Sequence, residues 1–97
     1  MKKDERNLEN RCCDYARSNG IVAVKLENNG NTGIPDRLFI KEGGKCIFVE
    51  FKTKVGYASK EQLFWKDFIG SNSFICNDYD DFVELLNKYL INAKINC

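Results

Sequence analysis

Gly33-Ile34-Pro35-Asp36-Arg37-Leu38-Phe39-Ile40-Lys41-Glu42-Gly43-Gly44-Lys45-Cys46-Ile47-Phe48-Val49-Glu50-Phe51-Lys52-Thr53 is the stretch whose reading decides the fold. Two β-rich runs, 37–41 and 45–53, flank Glu42-Gly43-Gly44, so the segment reads as a β-hairpin. A three-residue loop pairs residues whose numbers sum to 86 and sets Asp36 opposite Glu50 on one face, with Cβ atoms about 5 Å apart. A two-residue loop would slip the register by one and set Asp36 against Phe51 instead. Cys46 to Val49 are four consecutive apolar residues, which predicts a central strand covered on both faces. Glu50 and Lys52 follow, two apart and therefore on one face, where the strand leaves the core. Taken singly, Pro-Asp is ordinary turn chemistry and a Glu-x-Lys strand pair is ordinarily solvated. Together they place two carboxylates and a lysine at one end of a buried strand. Carboxylates that close repel unless a cation lies between them. An all-oxygen set suits a hard divalent ion, magnesium or manganese.

Outward from the hairpin, Leu8, Cys12 and Ala16 recur every four residues, with Tyr15 beside them, predicting a helix of about 15 residues that Gly20 stops. Ile21–Leu26 reads as a strand, and Asn28-Asn29-Gly30-Asn31-Thr32-Gly33 as a polar loop that bends sharply or lets something approach its backbone. Downstream, Ser59 and Gln62 have capping-box spacing, and Leu63, Phe64, Phe68 and Ile69 are expected to form the buried stripe of a helix that Gly70 ends. Ser73–Cys76 is a short strand. Asp78 or Asp80 caps a last helix whose Phe82, Val83, Leu85, Leu86, Tyr89 and Leu90 face a core. The order αβββαβα, with a helical crossover between 45–53 and 73–76, predicts an α/β (α+β) fold: a mixed central sheet flanked by helices.

The 97-residue chain, expected to be a single domain over 1–97, has no apolar run approaching a membrane span and no signal-like apolar segment behind Met1-Lys2-Lys3. The expected location is therefore the cytoplasm. Five cysteines without a CxxC pair, and no histidine, exclude a disulfide scaffold, a zinc finger and histidine-based catalysis. Carboxylates and lysines remain as the reactive groups. The net charge of +1 conceals a gradient. Residues 37–66 carry seven basic side chains (Arg37, Lys41, Lys45, Lys52, Lys54, Lys60, Lys66) against three acidic ones, and residues 67–97 carry two against five. A basic middle third suits a phosphate backbone, although plain solvated charge reads equally well from the counts alone.

Gly33-Ile34-Pro35-Asp36 followed by Val49-Glu50-Phe51-Lys52 resembles the PD-(D/E)xK nuclease signature. Lys54-x-Gly56-x-x-Ser59-x-x-Gln62, with Glu9 on the first helix, resembles the VRR-NUC branch of that superfamily over about residues 5–92. The resemblance implies a restriction-endonuclease-like αβββαβ core and a magnesium- or manganese-dependent deoxyribonuclease. It implies Asp36 and Glu50 as metal ligands, with the Phe51 main-chain carbonyl as a third oxygen. Lys52 would orient the attacking water and neutralise developing phosphoryl charge; beside two carboxylates it tends to keep its proton, which favours stabiliser over general base. Gln62 is a catalytic candidate and equally the capping partner of Ser59. Glu9 either reaches the metal through water or is a solvated helical Glu. Lys25, Arg37, Lys54 and Lys60 are candidates for gripping DNA, and Tyr57 and Trp65 for stacking on it or, for Trp65, for core packing. The resemblance also implies phage or bacterial origin, action as a homodimer or higher oligomer, and junction- or flap-like DNA as substrate. A catalytically silent DNA-binding or assembly module is the alternative. Glycoside hydrolysis would need two carboxyls but neither Lys52 nor the basic third.

Overall fold

A computed structural model describes residues 3–92. Helix α1 (Lys3–Ser18) leads through Gly20, in the left-handed region, into β1 (Val22–Lys25), β2 (Arg37–Ile40) and β3 (Cys46–Phe51). Helix α2 (Lys60–Ile69), β4 (Ser73–Cys76) and α3 (Tyr79–Leu86) follow, and α3 continues as a π-helical turn over Asn87–Ile91. The sheet order is β1-β2-β3-β4, antiparallel except for the parallel β3–β4 pair across α2. The mixed sheet and the αβββαβα order are as the sequence implies. Among the described residues, no helix is long and apolar enough to cross a membrane.

The hairpin register agrees with the three-residue loop: Arg37 pairs with Val49 and Ile40 with Cys46, and the Lys41 amide donates to the Lys45 carbonyl at 2.8 Å. Gly43 and Gly44 both have positive φ, which the turn requires and a Cβ would resist. With the register fixed, alternation assigns every side chain to a face. Phe39, Ile47, Val49, Phe51, Phe74 and Cys76 turn to one side. There they meet Cys12, Cys13 and Ala16 of α1 and Phe82, Leu86 and Leu90 of α3 and its continuation. Phe39 and Phe51 bracket Phe82, with ring centroids 5.0 Å and 6.1 Å from it. These rings are fully buried, and burial of that size stabilises by roughly 1.5–3 kcal/mol per side chain.

The other face differs from expectation. Cys46 and Phe48 are only half-buried, so β3 is central in order but incompletely covered on this side. Helix α2, the element that packs there against β4, buries none of its residues. Leu63, Phe64 and Phe68 are 48%, 59% and 72% exposed, which corrects the reading of these residues as a buried stripe. Helical periodicity shows that apolar side chains share a face; it does not show what lies opposite. Asp78, rather than Asp80, caps α3 by accepting from the Asp81 amide at 3.2 Å.

Candidate active site

Asp36 ends the loop before β2 and is held at two points. Its carbonyl accepts from the Leu26 amide at 3.1 Å, continuing the β1–β2 register, and its Oδ2 accepts from the Phe51 amide at 2.8 Å. The carboxylate thus takes up a β3 amide just beyond the end of the β2–β3 ladder. Glu50 is on β3, on the face away from the aromatic core, and is 6% exposed. Its Oε2 accepts from Gln62 Nε2 at 2.8 Å and lies 3.6 Å from Lys52 Nζ. Its Oε1 is buried and has no hydrogen-bond partner among the described residues. Lys52 is anchored through its amide, which donates to the Cys76 carbonyl at 2.9 Å, so its main chain continues the parallel pairing with β4.

Burial, then the nearby charge of Asp36, pushes the Glu50 carboxyl up to about 8, against the opposing pull of Lys52. Asp36 is also raised, first by burial; the Phe51 hydrogen bond lowers it and Glu9 raises it. Without a cation, the two acids share a site in which both ionised forms are unfavourable.

Gln62 holds both of the roles open to it. Its Oε1 accepts from the Ser59 amide at 2.8 Å, its own amide donates to Ser59 Oγ at 3.1 Å, and its Nε2 reaches Glu50. The first turn of α2 is therefore tied to the carboxylate by one side chain. Gly33 makes that approach possible. At φ +88°, a Cβ there would lie 2.6 Å from the Glu61 carbonyl carbon and 2.8 Å from the Gln62 amide nitrogen. The loop that had to bend sharply or admit a neighbour does both, and the neighbour is α2. Trp65 fastens it, donating from Nε1 to the Thr32 carbonyl at 3.1 Å.

Two placements differ from the sequence reading. Glu9 is 2% exposed and so not a solvated helical Glu: its Oε2 pairs with Arg37 Nε at 2.5 Å, and its charge acts on the Asp36 carboxyl. Arg37, expected on DNA, is turned inward by the same alternation that buries Phe39. The signal was present, because Glu9 lies three, four and seven residues before Cys12, Cys13 and Ala16, on the face of α1 that meets the sheet. Among the described residues, no three His, Cys, Asp or Glu side chains are grouped to hold a metal. Lys25 and Lys60 are exposed, and Lys54 lies 3.9 Å from Asp78 with its side chain mostly in solvent. Tyr57 is an exposed loop residue. The described cysteines are free, with Cys12, Cys13 and Cys76 buried.

A solved structure described as a "VRR_NUC domain" superposes with a TM-score of 0.79 over 91% of this chain and 99% of its own, at 24% sequence identity. The chain has the fold of a VRR_NUC domain. No family model matches the sequence, and no curated protein does either. In this VRR_NUC fold, Asp36, Glu50, Lys52 and Gln62 come together from the β2 entry, the exit of β3 and the start of α2. Glu9 and Arg37 pair beneath the sheet on the α1 side, next to Asp36, on whose carboxyl the charge of Glu9 acts.

Proposed function

We propose that this chain is a magnesium- or manganese-dependent endonuclease that hydrolyses DNA phosphodiester bonds, acting as a homo-oligomer on junction- or flap-like structures. One observation carries the reading: Glu50, a carboxylate 6% exposed, keeps one oxygen buried without a partner beside a second carboxylate and a lysine. Such an arrangement costs stability unless a cation completes it. The residues fit a hard divalent ion. Magnesium is commonly held by one or two carboxylates plus substrate phosphate, and Asp36, Glu50 and the Phe51 carbonyl offer oxygens only. Bound there, such an ion would supply a Lewis acid for a phosphoryl oxygen and lower the pKa of water.

The chain's own groups account for the rest. Asp36 is kept in place by the Phe51 amide, and Glu50 by the Gln62 amide. Lys52, 3.6 Å from Glu50, places a compact positive charge where phosphoryl charge grows during hydrolysis. Glu9 and Arg37 join α1 to the first residue of β2 and hold Asp36 in register as positioning residues. Lys25, Lys54 and Lys60 are left to contact the DNA backbone. The likeness in fold to a structure described as a "VRR_NUC domain" supports the same reading.

The test is purified protein with plasmid, flap and four-way-junction DNA in magnesium, manganese or EDTA. Cleavage dependent on the ion, together with a magnesium-induced rise in melting temperature that Asp36→Asn diminishes, is expected. Unchanged cleavage by Asp36→Asn overturns the reading.

A further inference from the structure

Of the two aromatic side chains that the sequence offers to DNA for stacking, the structure commits one and leaves the other open. Trp65 is half-buried, with its Nε1 donating to the Thr32 carbonyl at 3.1 Å. Tyr57 is 91% exposed, the most of any large apolar side chain among the described residues, so both faces of its ring meet solvent. Val55, two residues earlier, is 83% exposed. Exposed apolar side chains are ordinary one at a time; what distinguishes these two is where they stand.

Residues 52–59 join β3 to α2, and both ends of this loop converge on one atom. At its start, Lys52 Nζ lies 3.6 Å from Glu50 Oε2. At its end, Ser59 caps α2 through Gln62, whose Nε2 donates to the same oxygen at 2.8 Å. Between them the Gly56 amide closes a turn onto the Thr53 carbonyl at 3.0 Å. Tyr57 follows that turn and is two residues from Ser59, a span of at most about 7 Å, so it stands at the rim of the candidate site. From Phe51 to Lys60 the chain carries Lys52, Lys54 and Lys60 and no acid. Asp78 lies 3.9 Å from Lys54, whose side chain is 75% exposed, a pairing weak enough to give way to a phosphate. Lysine is depleted where protein meets protein and neutralises phosphate where protein meets nucleic acid, so the charge of the loop selects DNA as its occupant.

We infer that residues 53–58 form a stacking loop in which Tyr57 lies against the face of an unpaired DNA base, so that the site takes a strand with an open, single-stranded arm in preference to fully paired DNA. The inference rests on the proposed nuclease reading for its ligand and narrows the substrate within it. In paired DNA each base has both faces covered by its neighbours, and extruding one costs free energy before any stacking is regained. In an unpaired arm a face is already open, and an exposed ring gains the whole contact. Every base has such a face, so the loop recognises the openness of a strand and not its sequence. Lys54 and Lys60, on either side of Tyr57, hold the phosphates of the same arm.

Fluorescence anisotropy in calcium, with the full chain, compares a flap duplex with the same duplex whose flap is paired to its complement. Tyr57→Ala is expected to weaken flap binding at least about fivefold, the lower end of one base–aromatic stack, and binding of the paired form less than about twofold. Tyr57→Phe should keep the flap affinity, which separates the ring from its hydroxyl. Stacking releases no counterions, so Tyr57→Ala should leave the salt slope of flap binding unchanged, whereas Lys54→Ala lowers it by about one on both DNAs. A fluorescent aminopurine at the first unpaired position should be quenched by wild type and not by Tyr57→Ala. Equal loss on both DNAs, a lowered salt slope for Tyr57→Ala, or quenching that survives Tyr57→Ala overturns the inference, as does a wild type that binds no flap DNA. Cleavage of the same flap by wild type in magnesium keeps the two readings apart. Cleavage with no effect of Tyr57→Ala on binding refutes the stacking loop and leaves the nuclease standing, and quenching without cleavage does the opposite.

Discussion

The two faces of the sheet are built from alternate residues of one strand and do opposite things. Ile47, Val49 and Phe51 of β3 enter a closed aromatic and aliphatic core beneath α1 and α3. Phe48, Glu50 and Lys52 turn to the side that α2 only partly covers, where burial raises the carboxyls instead of stabilising the chain. The first face holds the fold at low energy. The second carries unfavourable charge held in place by the first, which is the usual relation between a rigid scaffold and a site.

The sharpest way to break this division is to remove matter from one face and charge from the other. Phe82→Ala takes a fully buried ring from between Phe39 and Phe51 and is expected to cost about 3–5 kcal/mol by denaturant titration. Asp36→Asn should do the reverse: without metal it melts no lower than wild type, because a repulsion with Glu50 is gone while the amide oxygen still accepts from Phe51. If Asp36→Asn destabilised as much as Phe82→Ala, the two-face description would be wrong.

Lys52→Ala should lower single-turnover cleavage roughly 100-fold, about 2.7 kcal/mol of transition-state stabilisation, while DNA affinity in calcium changes little. Arginine should rescue only in part, since its planar, longer guanidinium does not reproduce a compact charge beside Glu50. Lost affinity with an unchanged cleavage rate would make Lys52 a phosphate clamp.

Glu50 gives the charged face a pH signature. Its folded carboxyl is raised from 4.5 to about 8, so the folded chain holds the proton more tightly than the unfolded one. The stability this provides is complete below pH 4.5 and is lost as pH rises through about 8. Metal-free protein should therefore lose at most about 1.4 kcal/mol per pH unit from this group, a slope Glu50→Gln removes. Magnesium competes with the same proton, so the metal-induced melting shift should grow over the same window. A wild-type stability profile that matches Glu50→Gln from pH 5 to 8 refutes the assignment.

The smallest effects belong to the outer lysines. Lys25→Ala, Lys54→Ala and Lys60→Ala should each reduce the salt slope of DNA binding by about one without altering the cleavage rate at saturation. Arg37→Ala should leave that slope alone and lower the melting temperature, because it strands Glu9 in the interior.

Local chemistry explains what the sequence disclosed. Turn length alone set the hairpin register and so the approach of Asp36 to Glu50, and Ser59 with Gln62 declared the start of α2. What stayed hidden depends on distant partners. Arg37 is indistinguishable from the other middle-third cations until strand alternation and the inner face of α1 are read together. Leu63, Phe64 and Phe68 share a face by periodicity, but whether a sheet or solvent lies opposite is a tertiary fact. Gly33 announced a close approach without naming what approaches.

Gln62 divides one amide between two tasks, its oxygen to the Ser59 backbone and its nitrogen to Glu50. The lifetime of the acid's orientation is therefore bounded by the fraying rate of a helix terminus. Each opening of that first turn releases Glu50 to rotate, and each closing restores it. Hydrogen exchange at the Gln62 and Ser59 amides consequently times the disarming of the site, as a clock located in the backbone rather than in the chemistry.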